Sequence, residues 1–483
     1  MKPNRWIDSF CGRDRALGSR RDFLAGAGLG FGALAATAML NAEPTEPRGA
    51  HFPAKAKSVI FLFMHGGPSH LDSFDPKPLL NELDGKPVPE SFGKVDFQFT
   101  KIENAPLLGS PRKFQKRGQS GVEVSDLFEH VAEHADDLAV IRSLHHDGFT
   151  HVTGQNWMNT GWPRIGRPSV GSWVTYGLGT ENENLPSYMV MLDGPIKAGS
   201  PAYGAGFLPA MYQGTVLRSD GPPILNVDRP EDMSRDEQRL MLDVLKEMNT
   251  RHYEERSDDS ELAARIASYE LAFQMQTSVP ELATLDDETE ATKALYGLDA
   301  EETREFGVQC LRARRMVERG VRFIQIYSGG RKGGAGVGWD AHNEINTNHD
   351  EMARSVDKPI AGLLADLKQR GLLDETLVVW GGDFGRTPFT DGGGTGDRIG
   401  RDHNPYGFSV WLAGGGVKGG QVIGGTDEIG LRAVDDPIHV HDFHATILGL
   451  LGINHEKLTY FFQGRDFRLT DVHGEKNLLD RLT

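Results

Sequence analysis

Histidine, aspartate and threonine side chains follow four apolar runs of the sequence, each near the point where the run ends. These residues are His65 and Asp72 after "SVIFLFM", Thr150 and His151 after "LAVIRSL", Asp340 and His342 after "VRFIQIYS", and Asp383 and His403 after "TLVVWGG". Carboxylate oxygens and imidazole nitrogens bind divalent ions without help from thiolates. The pattern therefore predicts a divalent metal site, with Zn, Mn, Mg and Ca as the candidate ions.

A less specific interpretation competes with the metal site at each position. A single Asp-x-His sequence, such as Asp340 to His342, is usually only a hydrogen-bonded turn. Asp72 and Asp75 stand in "DSFDPKP", where aspartate before proline is typical of a loop. Four polar strand ends in one sheet favour the metal, because the carboxyl ends of parallel strands meet at one edge.

Apolar strand patterns alternate with helical patterns along most of the chain, which predicts a doubly wound, mostly parallel α/β sheet flanked by helices. One domain is expected over about 55–475. From about 230 to 300 the strand patterns stop, and "SRDEQRLMLDVLKEMNTRHYEER" begins with capping-box spacing at Ser234 and Glu237. This region is predicted to be a helical insertion.

The N-terminal 42 residues have the pattern of a twin-arginine export signal. Arg20 and Arg21 precede a stretch of sixteen residues, Ala25 to Leu40, that is rich in glycine and alanine. A transmembrane anchor is the alternative, but a span needs about 20 apolar residues. We expect the twin-arginine translocase to export the folded protein to the periplasm or beyond, with no stable membrane anchor.

Charge and cysteine content exclude several classes of function. The formal net charge is −16, and removal of residues 1–42 would make it −19, so binding to nucleic acid through a general basic surface is not expected. Cys11 lies in the export signal, and Cys310 is the one other cysteine. A single remaining thiol can form neither an intrachain disulfide nor a cysteine zinc site.

Two familiar catalytic motifs do not fit. "HGG" after the first strand is like an esterase oxyanion loop, but the chain has no G-x-S-x-G nucleophile elbow. The loop "GGRKGGAGVG", with Arg331 and Lys332, lacks the phosphate-binding arrangement G-x-x-x-x-G-K-[ST]. We interpret it as a mobile loop that could bring a cation to an anionic substrate.

Several long motifs resemble a known family. They are "FMHGGPSHLDSFDPKP", "MNTGWPRIGRPSVGSWVTYGLG", "VVWGGDFGRTP", "RDHNPYGFSVWLAGGGVKGG" and "VHDFHATILGLLGI". These motifs are similar to those of the secreted, planctomycete-type family catalogued as domain of unknown function 1501, over about Ser58 to Gly474. That family is regarded as a distant member of the alkaline phosphatase and sulfatase superfamily, so the resemblance implies an alkaline-phosphatase-like fold.

The resemblance also implies a ligand set. Asp340 and His342 match the Asp/His pair in the middle of the superfamily pattern, and His403 matches the later histidine. Asp383 matches the first member of an Asp-His pair whose histidine is replaced by Phe384. His65 stands where the superfamily has an aspartate after the first strand, unless Asp72 takes that place. One metal site is implied, with its ligand atoms within about 5 Å of a common point, and a second is degraded or rebuilt.

The nucleophile departs from the family pattern. In sulfatases the modified residue precedes a Thr-Gly pair by nine positions, which here leads to His151, beside Thr150. Formylglycine is excluded because neither residue is Cys or Ser. Thr150 could act as nucleophile at a helix N-terminus, and Arg386 could clamp phosphate or sulfate oxygens, or pair with a carboxylate instead. For His441 and His444, packing or capping is the expected role.

Two functions from different classes follow. The first is an exported metal-dependent hydrolase of a phosphate or sulfate ester, carried by a small molecule or a polysaccharide. The second is a non-catalytic binding or scaffold protein that keeps the fold. Asp340, His342, Asp383 and His403 favour the enzyme, whereas His65, Phe384 and the departure at the nucleophile favour the scaffold.

Overall fold

The computed structural model describes residues 49–93, 105–182, 184–219, 223–224, 229, 232–255, 260–329, 338–391 and 396–483. The predicted export signal and residues 330–337 of the glycine-rich loop, with Arg331 and Lys332, lie outside the described residues. Within the described residues, none of the helices combines the length and the apolar composition of a membrane span.

The helices lie between the strands along most of the chain. They are α1 His70–Ser73, α2 Pro78–Glu82, α3 His151–Thr160, α4 Val170–Leu178, α5 Arg235–Glu255, α6 Ser260–Ala283, α7 Glu290–Leu295, α8 Glu301–Glu318, α9 Ile345–Gln369, α10 Val440–Leu450 and α11 Leu479–Leu482. Helices α5, α6 and α7 occupy the region where the sequence predicts a helical insertion. The segment Val131–Asp137 is a 3-10 helix with a kink at His134.

Strands of the central sheet are short and mostly buried. They are β1 Ser58–Met64, β4 Leu138–His145, β5 Tyr188–Leu192, β6 Thr215–Leu217, β7 Phe323–Ser328, β8 Thr376–Gly382, β11 Phe408–Ala413, β12 Gln421–Ile423 and β15 Ile438–His439. Their order is β12-β4-β11-β8-β1-β7-β5-β6, with β15 paired to β4. All pairs are parallel except those of β11, which runs antiparallel to β4 and β8.

In the part of the chain that the structure describes, four two-stranded ribbons lie outside this sheet. They pair β2 Phe114–Arg117 with β3 Val122–Ser125, β9 Gly385–Thr390 with β10 Arg401–Asn404, β13 Gly425–Thr426 with β14 Ala433–Asp435, and β16 Tyr460–Phe462 with β17 Arg465–Phe467. The β9–β10 ribbon continues directly from β8. It therefore extends beyond the edge of the sheet where the strand carboxyl ends lie.

Strand β1 shows why helices cover both faces of the sheet. Its seven residues are all buried, and alternate side chains enter two different cores. Ile60, Leu62 and Met64 pack in a core with residues of α8 and α9, whereas Phe61 and Phe63 pack in a core with residues of α4 and α10. A continuous apolar run of this kind is what a strand buried on both faces requires. The predicted doubly wound, mostly parallel α/β fold is confirmed.

Candidate metal site

Four side chains with metal-ligating atoms meet beyond the carboxyl ends of the strands. They are His151, Asp340, His342 and His403, and one ligand atom of each lies within 4.8 Å of the others. The structure thus brings together the three residues expected to share an ion, Asp340, His342 and His403, and adds His151. The Nε2 atoms of His342 and His403 lie 3.0 and 3.3 Å from Asp340 Oδ1.

Local structure fixes where each group stands. His151 is the first residue of α3, after the end of β4 and a short loop. Asp340 and His342 lie in the turn between β7 and α9, and His403 lies in β10, opposite Arg386 of β9. The site therefore draws on the loops that follow strands of the central sheet and on the ribbon that follows β8.

The three imidazole rings of the site have the same orientation. In each ring Nδ1 points away from the cluster to an oxygen acceptor, and Nε2 points inward. The acceptors are Asp391 Oδ2 at 2.6 Å for His342, the Phe149 carbonyl at 2.7 Å for His403, and Asp383 Oδ2 at 2.7 Å for His151. Because these oxygens accept, Nδ1 carries the proton and Nε2 of a neutral ring has a free lone pair. Metal-ligating histidines are typically held this way.

The carboxylate of Asp340 stays ionised. Burial alone would raise its pKa, but the Arg386 guanidinium, whose Nη2 lies 2.8 Å from Oδ1, and the neighbouring imidazoles hold that pKa far below its usual range. The cluster thus has a fixed negative charge at its centre, where a cation would be bound.

The two rings nearest Asp340 Oδ1 have opposite tendencies. Burial lowers the pKa of His403 to about 4, so this ring is neutral. The pKa of His342 is raised to about 9 despite burial, by its bonds to Asp340 and Asp391. Their Nε2 atoms are 3.0 Å apart. Two lone pairs at that distance repel unless a proton or a metal ion lies between them. Without a metal the His342 proton takes that place, and a divalent cation could replace it.

Arg386 is fully buried, and its contacts leave no free edge for a substrate anion. It donates to the Gly67 carbonyl at 2.9 Å, the Arg401 carbonyl at 3.1 Å and the Gly66 carbonyl, as well as to Asp340. Of the two roles considered from the sequence, this placement favours pairing with a carboxylate over clamping substrate oxygens. Arg386 orients Asp340.

Asp383 and His65 lie behind the four ligand-type groups. Asp383 is fully buried and accepts from His151 Nδ1 and from Gln155 Nε2 at 3.1 Å, so it reaches the cluster through His151. Burial lowers the pKa of His65 to about 4, and its Nε2 accepts from the Lys197 backbone N–H at 3.3 Å. The His65 ring centroid is 6.4 Å from that of His151. Neither residue belongs to the four-residue cluster.

Asp72 lies outside the cluster as well. Its carboxylate accepts from Ser69 at 2.5 Å, Ser110 at 2.6 Å and Arg401 at 3.0 Å. Although burial opposes ionisation, the Arg401 charge and these bonds lower the Asp72 pKa to about 2. The expectation that Asp72 could replace the missing first-strand ligand is not met, because a buried arginine already neutralises it. Asp72 is an internal ion-pair residue.

Thr150 is the N-cap of α3. Its Oγ1 accepts from the Thr153 backbone N–H at 3.3 Å and lies 3.0 Å from Thr153 Oγ1, and its own N–H donates to Thr153 Oγ1. This is a reciprocal capping arrangement at the helix end that presents His151. The hydroxyl proposed as a nucleophile thus has a structural role in positioning the helix.

Phe384 occupies the place where the family resemblance implies a histidine. Its ring centroid is 4.4 Å from that of His403 and 5.1 Å from that of His151. Helix α3 approaches this ring closely at Gly154, where a Cβ would lie 2.9 Å from Phe384 Cδ1. An apolar ring therefore fills the space beside His151 and His403, whereas a second group of ligand-type side chains, Asp391 and Asp402, shares His342 with the cluster.

The sequence did not indicate three groups that complete the site. Asp391 follows β9 directly, and only its position at a strand end before a glycine-rich loop could have suggested it. The Phe149 carbonyl is a backbone group and has no sequence signal. Lys197 is exposed and follows β5 by five residues, in a loop whose N–H groups bond to His65 and, at Ala198, to Gln155 Oε1 at 2.8 Å.

Solved structures that resemble the chain include a sulfatase, a phosphonate monoester hydrolase and a lipoteichoic acid synthase. The PsFucS1 sulfatase from Pseudoalteromonas sp. is 13% identical and has a TM-score of 0.36, with 95% of this chain and 77% of that chain covered. The phosphonate monoester hydrolase SpPMH from Silicibacter pomeroyi is 13% identical, has a TM-score of 0.32, and the match covers 67% and 68% of the two chains. The lipoteichoic acid synthase LtaP from Listeria monocytogenes is 9% identical and has a TM-score of 0.34, over 89% and 78%.

Sequence comparison gives a family but no characterised relative. No curated protein matches the chain. A family model described as "Protein of unknown function (DUF1501)" matches residues 56–482, nearly the whole of the described structure. The chain belongs to this family, as the motifs of the sequence indicate.

Proposed function

We propose that the protein is a metal-dependent hydrolase of a phosphate or sulfate ester. One observation supports this above all others: three inward-facing Nε2 atoms and an ionised carboxylate converge at the edge of the sheet where ligands of α/β proteins bind. The cluster is partly open to solvent, since the His342 side chain is 34% exposed. A substrate can therefore approach from the His342 side.

A divalent cation at this point would act as a Lewis acid toward an ester oxygen and would lower the pKa of water at neutral pH. Asp340, His342 and His403 would hold it. Arg386 keeps Asp340 ionised and oriented, while Asp391 and the Phe149 carbonyl keep the two rings in the tautomer that offers Nε2. These contacts exist before any substrate binds, so the site is preorganised.

The positive charge of Lys197 favours an anionic substrate. Its side chain is exposed, and its backbone N–H donates to His65 Nε2 at 3.3 Å, so the residue lies close to the site. The surrounding carboxylates would repel a phosphate or sulfate, and a nearby cation offsets that repulsion. Polysaccharide esters and small-molecule esters both remain within this proposal.

We also propose that the protein acts outside the cytoplasm, after export by the twin-arginine translocase. The support is the sequence pattern at residues 1–42. Export in the folded state would allow the metal to be loaded before translocation. A net charge of −19 after signal removal is in keeping with a protein that does not bind nucleic acid.

A non-catalytic metal-binding or scaffold protein is the second candidate. The observation that favours it is Thr150, whose hydroxyl is engaged in capping α3, next to a site where Phe384 fills the remaining space. Under this alternative the ion would stabilise the loops around the sheet edge without turnover.

Metal content and hydrolysis measured together separate these candidates. We expect about one equivalent of a divalent ion in the exported protein, and turnover of an aryl phosphate or an aryl sulfate that disappears in His403→Ala. His252→Ala is the control, because His252 lies exposed on α5. Stoichiometric metal with no turnover of either ester would select the scaffold, and no metal at all would reject the hydrolase.

A further inference from the structure

His151 faces a different oxygen of Asp340 from the other two site histidines. His342 and His403 lie next to Oδ1, whereas His151 Nε2 lies 2.9 Å from Oδ2. This Nε2 atom is buried and, despite that distance, has no hydrogen-bond partner. A buried imidazole nitrogen without a partner costs free energy unless something else satisfies it.

The opposite side of the His151 ring is held firmly. Nδ1 bonds to Asp383 Oδ2, and the same carboxylate accepts from Gln155 Nε2, while Gly66 N–H lies 3.4 Å from Asp383 Oδ1. His146 Nε2 donates to the Asp383 backbone carbonyl at 2.6 Å, which fixes the main chain at that point. Asp383 has no solvent exposure. A buried carboxylate that orients an imidazole whose other nitrogen is unpaired is the usual outer support of a metal ligand.

We propose that His151 is a fourth ligand of the ion, through Nε2, and that the site takes Zn²⁺ rather than Ca²⁺ or Mg²⁺. This inference rests on the metal site of the proposed function and goes beyond it in two ways. It makes His151 a metal ligand and no longer a candidate for the reaction itself. It also makes Asp383 a positioning residue that acts through His151.

Donor chemistry selects the ion. Three imidazole nitrogens and one carboxylate oxygen make a nitrogen-rich set of four, the number that Zn²⁺ prefers. Ca²⁺ takes six to eight oxygen ligands, and Mg²⁺ requires an octahedral shell made mostly of oxygen. Zn²⁺ can also expand to five ligands during a reaction, so a substrate oxygen can still be accepted from the open His342 side.

Metal binding by the full-length protein, stripped of metal, tests the proposal without reference to turnover. We expect one Zn²⁺ per chain in competition with a chromophoric chelator, no displacement by millimolar Ca²⁺ or Mg²⁺, and the intense visible bands of four-coordinate Co²⁺ after substitution. His151→Ala should weaken Zn²⁺ binding by more than 100-fold and change the Co²⁺ spectrum. Asp383→Asn should weaken it by about 10–100-fold, the usual effect of losing an outer carboxylate.

His252→Ala is the control and should bind Zn²⁺ as the wild type does. If His151→Ala does not fold, as judged by circular dichroism, Asp383→Asn decides, because it preserves shape and leaves His151 in place. Unchanged Zn²⁺ affinity in the folded variant, or displacement of Zn²⁺ by Ca²⁺ or Mg²⁺, overturns the inference. Such a protein could still hydrolyse esters with a different ion, so this failure is distinct from failure of the proposed function, which would be the absence of turnover with every ion.

Discussion

Two sets of three histidines lie at the same end of the sheet and differ in how their nitrogens are used. The site histidines are His151, His342 and His403. The α10 histidines are His439, which is the N-cap of α10, and His441 and His444 within the helix. Both sets have short ring-to-ring distances, with centroids 4.7 Å apart for His342 and His403 and 4.8 Å apart for His439 and His441. Proximity of imidazoles alone therefore does not distinguish them.

The difference lies in where the anchored nitrogens point. In the site histidines every Nδ1 is anchored outward and every Nε2 faces one carboxylate. In the α10 histidines the bonds go to separate backbone groups. His439 Nδ1 accepts from the His441 N–H, His441 Nε2 donates to the Gly161 carbonyl at 2.9 Å, and His444 Nε2 donates to the Met158 carbonyl at 2.8 Å. The first arrangement aims three Nε2 atoms at one point, whereas the second connects helix α10 to helix α3.

The largest effect should come from removing one member of each set. His403→Ala is expected to abolish stoichiometric binding of the metal, because it removes a ligand and leaves His342 as the one ring beside Asp340 Oδ1. His441→Ala should keep the metal and lower the thermal midpoint instead, because it deletes a buried bond to Gly161. Elemental analysis of the purified proteins, with thermal unfolding followed in parallel, measures both.

Equal metal content in the two variants would remove the distinction between the sets. Loss of metal from His441→Ala, with the fold intact, would place the ion near α10. The orientation of the site rings would then result from side-chain packing and not from metal binding.

A smaller effect is expected from an outer anchor of the site. Asp391→Asn keeps a side chain of the same shape but loses the charge that holds Nδ1 of His342. We expect Zn²⁺ affinity to fall by about 10–100-fold, with little change in stability, since Asp391 is only half-buried. Asp435→Asn, at an exposed position in β14, is the matched control. Identical affinities in a chelator competition would show that the Asp391 contact does not support the ligand.

The sequence predicts the fold well because buried parallel strands have a strong local signature. β1, β7 and β8 are continuous apolar runs bounded by turns, and the structure places them side by side in the sheet. The antiparallel direction of β11 was not predictable in this way, because a strand buried on both faces has the same pattern in either direction.

The candidate site was predictable in part, for physical reasons that differ between residues. Asp340, His342 and His403 follow strands and carry the right atoms, and the family resemblance implied that they share one ion. Asp72 also follows a strand, but no sequence pattern reveals that Arg401, more than 300 residues away, pairs with it. The partner of Arg386 was equally open, because a guanidinium binds a carboxylate and a phosphate by the same geometry.

Acid should lower the stability of the protein through the buried histidine His444. Burial lowers the pKa of His444 to about 3, whereas the unfolded chain has a value of about 6.5. A lowered histidine pKa gives stability that is fully present above pH 6.5 and is lost as pH falls toward 3, since the unfolded state binds the proton first. The free energy of unfolding attributable to His444 should fall by about 1.4 kcal/mol per pH unit in that window.

Urea unfolding at several pH values between 4 and 6.5 measures this slope. His444→Gln should show a shallower decline than the wild type, while His252→Gln, at an exposed position, should match the wild type. Parallel curves for wild type and His444→Gln would mean that His444 binds a proton as readily in the folded protein as in the unfolded chain.

The smallest expected effect distinguishes a capping role of Thr150, at the start of α3, from a role as nucleophile. Thr150→Ala removes the cap, and loss of a threonine N-cap costs about 1 kcal/mol. Thr150→Ser keeps the cap and should restore that stability. Because we assign Thr150 to positioning His151, we expect metal content to be unchanged and turnover of an aryl ester to fall by less than about tenfold in the alanine variant, corresponding to 1.4 kcal/mol at most. A loss of several orders of magnitude that serine reverses would make the Thr150 hydroxyl the nucleophile. Thr150 would then take part in the reaction, while His151 next to it binds the metal.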